Sequence, residues 1–339
     1  MPTWGEIVKE LTAIHAAGQL PAGTSPFDVV RRKYLQALHR HTGRNVILYA
    51  SKWTQPGASP ELISIGPEDM QGLMEVIHGL KGASGLDLIL HSPGGSAEVA
   101  EALVTYIRSK FPSDVRVLIP QAAMSAATML ACSANSIVMG KHSFIGPIDP
   151  QFIIGGLSVP AQAILEQFKL AQGQCKDPSL LPSWLPMLNH YGPALLVQCQ
   201  HALDLSFSLV SDWLRRYMFD DDPKLRRKAS KIAKALRNHA DFKSHNRFIS
   251  RDKARVLGLR VVDLEDDQDL QDLTLSVFHA TTHTFNATPA VKLIENHLGK
   301  AFIRSQQQLG MMPQIQIVPK QIPQLPVAPM PGAPPLTGQ

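Results

Sequence analysis

The chain has 339 residues, 44% apolar and 18% charged, proportions that fit a globular protein with one large core and exclude a fibrous or wholly disordered one. A net charge of +5 permits phosphate binding without indicating it. Three cysteines, Cys132, Cys175 and Cys199, with no Cys-x-x-Cys, suggest neither a disulfide framework nor a zinc site, so a reducing cytoplasmic setting and no cofactor are expected. The first thirty residues carry Glu6, Lys9, Glu10 and Asp28 without a long apolar core, which predicts no signal peptide and no membrane anchor.

In chain order, Pro2 to Gln19 reads as an amphipathic helix, Pro21 to Pro26 as a linker and Phe27 to Arg40 as a second helix. Strands are expected at Asn45 to Ala50 and at Ile63 to Ile65, then a helix over Met70 to Leu80. Leu86 to Leu90 is a short apolar run ended by Ser92-Pro93-Gly94-Gly95, a buried strand running into a tight turn. Apolar residues at three- and four-residue spacings predict a helix from Ser96 to Lys110, and Val115 to Ile119 repeats the buried-strand pattern. Small residues then surround Ser125 ahead of another apolar helix, and Ile137 to Met139 reads as a further strand. Asp149 follows in a Gly-Pro-Ile-Asp-Pro-Gln segment too proline-broken for a helix or strand interior.

Farther on, Ser158 to Gln172 reads as a helix, Pro178 to Pro193 as a proline-punctuated connection and Ala194 to Asp220 as a long helix. Lys224 to His239 reads as one more helix, carrying Lys224, Arg226, Arg227, Lys228, Lys231, Lys234 and Arg237 with no acid. Such a face either docks an acidic partner or nucleic acid, or is simply solvated. Ser250 is placed to cap a helix ended by Gly258, with His245 just ahead of it, and Val261-Val262 returns as a strand. Leu273 to Phe302 is expected to form one or two closing helices, and the eight prolines from Met311 onward predict a disordered or polyproline tail. The division expected is an N-terminal helical extension (1–25), a catalytic domain (26–305) with a helical insertion at about 158–240, and the tail (306–339).

A serine at a helix start suits acyl chemistry. The N–H of Ala126 lies beside Ser125, and glycine at 94 and 95 lets a second backbone donor come close to a bound carbonyl, so Gly94, Gly95 and Ala126 are the oxyanion-hole candidates. Each motif alone also has an ordinary reading, as a plain turn or a close helix contact. A serine nucleophile further needs a base, and thirteen histidines leave that choice open.

His-Ser-Pro-Gly-Gly followed by Ala-Met-Ser-Ala-Ala resembles the Clp protease and crotonase superfamily, and Met-Gly-Lys-His-Ser-Phe-Ile-Gly-Pro-Ile-Asp-Pro-Gln narrows the likeness to the serine dehydrogenase proteinases, a prokaryotic branch of Clp-fold serine peptidases. The resemblance runs from about Pro26 to about Gly299. It implies an α/β fold of Clp/crotonase-like stacked ββα repeats with additional helices, a homo-oligomer, and peptide or protein substrates cleaved without an intrinsic ATPase. It also implies a triad ordered Ser, Asp, His, carried over to Ser125, Asp149 and His245. Around His245 the residues Asn246-Arg247-Phe248 depart from the family's usual Asp-Tyr-Pro. Where a Clp protease carries its histidine, near Pro147 to Asp149, this chain has none.

A Ser–Lys dyad of the signal-peptide-peptidase kind would instead use Lys141, which has His142 beside it, or Lys169. A crotonase-like acyl-CoA enzyme would need only the oxyanion hole, and a catalytically silent oligomeric scaffold would need none of these groups.

Overall fold

The computed structural model describes residues 3–18, 20 and 24–306; the proline-rich tail lies outside the described residues. The elements are helices α1 (Trp4–Ala17) and α2 (Pro26–Thr42), strand β1 (Asn45–Ser51), α3 (Pro60–Ile63), α4 (Asp69–Ile77), β2 (Leu86–His91), α5 (Ala97–Lys110), β3 (Val115–Ile119), β4 (Ala122–Ala123), α6 (Ala126–Cys132), β5 (Ser136–Met139), β6 (Phe144–Ile145), β7 (Gln151–Ile154) and β8 (Leu157–Pro160). Then come α7 (Ala161–Gln174), α8 (Leu181–Leu188), α9 (Leu195–Trp213), α10 (Pro223–Arg226), α11 (Ala229–Arg237), α12 (His239–Phe242), β9 (Ile249–Ser250), α13 (Arg251–Leu257), β10 (Val261–Asp263), α14 (Gln268–Ala287), β11 (Ala290–Asn296) and β12 (Ala301–Ser305).

The central sheet has seven strands in the order β10-β5-β3-β2-β1-β11-β12, parallel from β10 to β1 and antiparallel at β11 and β12. Its inner strands are continuous apolar runs because both faces are covered, as parallel sheets require. Alternate residues go to opposite sides. Ile47, Tyr49, Leu88, Leu90, Val117, Ile119, Ile137 and Met139 face a core closed by α4, α5, α6, α9 and α11. Val46, Leu48, Ala50, Ile89, Leu118 and Val138 face a second core closed by α1, α2 and α14. The result is a mixed α/β fold with helices on both faces of a central mixed sheet. Among the described residues no helix is long and apolar enough to cross a membrane.

Several elements differ from the sequence expectations. Ile63 to Ile65 is not a strand: Pro60 starts the short helix α3, and only Ile65 pairs, through a single parallel bridge to Gly95. The helix expected from Ser158 begins at Ala161 because the chain first folds back as the hairpin β7–β8, with Gly155 (φ 58°) and Gly156 (φ 81°) at the turn. Two consecutive positive φ values are what a tight two-residue hairpin demands. The Pro178 to Pro193 connection contains α8, and the long helix after it ends at Trp213 in a wide turn over Leu214–Met218.

Lys224 to His239 is not one helix. Lys228 donates back to Leu225 (2.8 Å), a tightened turn that divides α10 from α11. In α11, Ala229, Ile232, Ala233 and Leu236 are buried, while Lys231 and Lys234 are exposed. The segment after Leu273 is also not purely helical. It continues α14 to Ala287 and then forms β11 and β12, whose strand character was hidden because β11 is buried on both faces and shows no alternation.

Two buried cations tie β11 to the rest. Arg31 is paired with Glu295 and donates to Thr284 (2.9 Å) and Asp28 (2.6 Å). Lys292, fully buried, donates to Asp69 (2.8 and 3.0 Å) and to the Ser64 carbonyl (2.6 Å). Asp69 also accepts from the Tyr49 hydroxyl (2.6 Å) and the Gly66 N–H (2.9 Å). Removing one partner of such a pair costs about 3–5 kcal/mol because the other charge stays buried and uncompensated. Asp69→Ala should therefore destabilise more than Lys292→Met in urea unfolding, since in the latter variant Asp69 keeps the Tyr49 and Gly66 donors.

Candidate active site

Ser125 stands between β4 and α6 with φ 51° and ψ −121°, left-handed backbone for a residue that carries a Cβ. Such a conformation costs on the order of 1–3 kcal/mol and persists only where the surroundings impose it. The surroundings here are the Gly94-Gly95 turn. A Cβ on Gly94 would lie 2.6 Å from the Met124 carbonyl and 2.7 Å from the Ser125 Cβ, and one on Gly95 would lie 2.4 Å from the Ile65 carbonyl. Both glycines are required by that approach, and both have positive φ, 97° and 152°. The turn is stitched to its neighbours by Ile65 N–H to Gly94 O (2.7 Å), Ser96 N–H to Ile65 O (3.1 Å), and Met124 N–H to Ser92 O (3.0 Å). Gly94 spends its own N–H on the Ser92 hydroxyl (3.2 Å), which leaves the N–H groups of Gly95 and Ala126 as the donors beside Ser125.

Asp149 is 1% exposed in the rigid Pro147 to Pro150 loop, fixed by Ile148 N–H to Leu236 O (3.0 Å) and by Ala161 N–H to Pro150 O (2.9 Å). Its carboxylate accepts from His245 Nδ1 (2.7 Å, on Oδ1), His239 Nδ1 (3.0 Å, on Oδ2) and Gln151 Nε2 (2.9 Å, on Oδ2). An ionised carboxylate only accepts, so both imidazoles carry their proton on Nδ1 and leave Nε2 free to act as a base.

Ser125 and His245 line one cleft of about 550 Å³, together with Gly94, Gly95, Ala126, Met129, Ile148 and the start of β7. Ser125 is not hydrogen-bonded through its side chain as a cap of α6. No hydrogen bond joins the Ser125 side chain to His245, and hydrogen bonds of this kind are often long or poorly aligned before substrate binds. His239 does not line this cleft.

The three groups come together through a small second sheet, β4-β6-β9, in which β4 runs parallel to β6 and β6 antiparallel to β9. Ser125 follows β4, Asp149 follows β6 and His245 precedes β9. The other candidate bases lie elsewhere. Lys141 is exposed in a turn with its N–H on Glu265 (2.8 Å), Lys169 is exposed on α7, and His142 is exposed on the wall of a different, aromatic cavity with Trp53, Phe144 and Phe248. No local pattern marks His239, whose distinction is its place in space.

His91, in the same Ser-Pro-Gly-Gly motif, is 2% exposed between Trp53 and Phe278, and burial pushes its imidazole down to about 3. It is neutral packing, not a base.

The fold is a ClpP-like mixed α/β architecture. Residues 29–182 match the model of the ClpP-like SDH-type serine proteinase family, a span that contains Gly94, Gly95, Ser125 and Asp149 and stops short of His239 and His245. Among curated proteins the chain is similar to two of Methanocaldococcus jannaschii, both named as uncharacterized. It is 30% identical to protein MJ0137 over 126 residues, 37% of this chain and 44% of that protein. It is 32% identical to protein MJ1495 over 114 residues, 34% of this chain and 37% of that protein. The chain spans less than half the length of either relative.

Two outcomes follow from this geometry. Ser125→Gly relieves the left-handed strain that Ser125→Ala keeps, so it should melt at a higher temperature than Ser125→Ala in calorimetry. His91 refuses in the folded state a proton that the unfolded chain takes up near pH 6.5, so stability falls as pH drops from about 6.5 towards 3. That slope should flatten in His91→Gln, measured by urea unfolding across this range.

Proposed function

We propose that the chain is a serine endopeptidase working through an acyl-enzyme, with Ser125 as nucleophile, His245 as general base and then acid, and Asp149 orienting the imidazole. The observation that carries this reading is the cleft shared by Ser125 and His245, in which His245 is held by a buried carboxylate at 2.7 Å. Ser125 attacks the scissile carbonyl while His245 Nε2 takes its proton. The N–H groups of Gly95 and Ala126 stabilise the resulting oxyanion. His245 returns the proton to the leaving amine, and water repeats the sequence to release the acid.

The positions of Lys141 and Lys169 outside the cleft favour the triad over a lysine dyad. A crotonase-like acyl-CoA reaction would not require the Ser125, His245 and Asp149 set. Peptide or protein substrates, self-association and a cytoplasmic setting are parts of the same reading, the last supported by the unpaired Cys132, Cys175 and Cys199.

A fluorophosphonate probe should label wild-type protein at Ser125, with the modified peptide identified by mass spectrometry. Labelling should vanish in Ser125→Ala and fall by roughly 10⁴-fold in Asp149→Asn and by up to about 10⁶-fold in His245→Ala, the losses seen when a triad member is removed. Labelling that survives His245→Ala would move the base elsewhere, and an unlabelled, correctly folded wild type would count against peptidase chemistry.

A further inference from the structure

The buried carboxylate of Asp149 serves two imidazoles, and only one of them reaches the cleft. His245 takes Oδ1, while His239 takes Oδ2 at 3.0 Å beside the Gln151 amide at 2.9 Å. We propose that His239 is a positioning residue for the Asp149–His245 pair, its Nδ1–H holding the far carboxylate oxygen so that the near one stays directed at His245. This inference rests on the peptidase reading and assigns a role in it to a residue that reading does not use.

The physical reason lies in the aspartate side chain. Its terminal torsion is broad and lacks strong staggered wells, so a carboxylate bonded through one oxygen swings about that bond. Donors on both oxygens fix its plane, and with it the imidazole that it orients; of the two donors on Oδ2, Gln151 belongs to the same segment as Asp149 and moves with it, whereas His239 ties that oxygen to a separate element. An ångström of misplacement at a reacting group costs on the order of 100-fold in rate, so the second donor matters even though it never meets substrate. His239 is itself anchored on the helical insertion, where its backbone N–H donates to Gln162 Oε1 of α7 (3.3 Å). Ala161, at the start of the same helix, donates to the Pro150 carbonyl (2.9 Å). The insertion therefore grips Asp149 from two sides, through its side chain and through its loop.

The charged groups on the surrounding elements leave this arrangement undisturbed. Glu166 of α7 accepts from Gln162 (2.8 Å), Asp241 of α12 accepts from Asn238 (2.8 Å), and Arg237 of α11 donates to the Leu203 carbonyl (2.7 Å) near Asp204 (3.6 Å). Lys243, after α12, is exposed. No other side chain in the described residues donates to Asp149 besides Gln151 and the two histidines.

The test compares His239→Ala with His239→Asn in the full-length protein, since an asparagine amide can place a donor where Nδ1–H stood. His239→Ala should lower kcat for a peptide substrate, or the fluorophosphonate labelling rate, by roughly 10- to 100-fold with KM unchanged, and His239→Asn should recover most of it. Independently of any turnover, the downfield Nδ1–H proton of His245, assigned by its loss in His245→Ala, should broaden or vanish in His239→Ala and persist in His239→Asn. An unchanged rate together with an unchanged His245 resonance in His239→Ala overturns the proposal. So does an equal loss in both variants accompanied by a lowered melting temperature, which is the mark of a purely structural role. If wild-type Ser125 proves unreactive, the peptidase reading falls while the His245 resonance still decides the positioning role.

Discussion

The approach of three backbone segments at Gly94 and Gly95 is the constraint on which the site depends. The stretch after β2, the turn at Ser125 and the Ser64 to Gly66 segment meet there with no room for a single Cβ on either glycine. The contact supplies the backbone donors near Ser125 and enforces the left-handed conformation that Ser125 holds. It is secured from behind by Lys292 and Asp69, a pair that would be expensive to bury unless both charges were satisfied. Lys292 bonds the Ser64 carbonyl and Asp69 bonds the Gly66 N–H, so the ion pair clamps both ends of the segment against which Gly95 packs. An electrostatic arrangement deep in the core thereby fixes the geometry of a turn at the surface of the cleft.

A second level of organisation is the three-stranded sheet β4-β6-β9. Each strand is only two residues long, too short to be stable alone, and each is held because the elements beside it are already anchored in the large sheet or its covering helices. Its value is geometric: it converts three segments far apart in sequence into neighbours whose ends deliver Ser125, Asp149 and His245. The aromatic cavity with Phe144 and Phe248 lies along the same strands, so packing changes there act on the segments that carry the site.

The insertion formed by α7, α8 and α9 has a small core of its own, with Ala161, Ile164, Cys199 and Leu203 buried. It contributes to the cleft through Ala202, Leu205 and Ser206, and Gln162 of α7 accepts from the backbone N–H of His239 on α12, which in turn bonds Asp149. Movement of the insertion and the orientation of Asp149 are therefore mechanically linked.

Local chemistry in the chain by itself determined most of the parallel sheet and the neighbourhood of Ser125. Short apolar runs marked β1, β2, β3 and β5, the last three stopped by Gly or Pro, the Pro-Gly-Gly turn marked the close approach, and Ser250 and Gly258 marked both ends of α13, because strand burial, turns and caps are written in a few adjacent residues. Strand β11 was missed because a strand buried on both faces loses its alternation and imitates a helix interior, and with it went its partner β12 at the sheet edge. The hairpin β7–β8 was missed although Gly155-Gly156 carried its turn. Residue chemistry left thirteen histidines open and the family resemblance pointed to His245; the tertiary structure set it beside Asp149, and only that structure revealed that a second histidine shares the carboxylate and that Lys141, His142 and Lys169 lie away from the cleft. Those are matters of distance between segments nearly a hundred residues apart, and no local pattern encodes them.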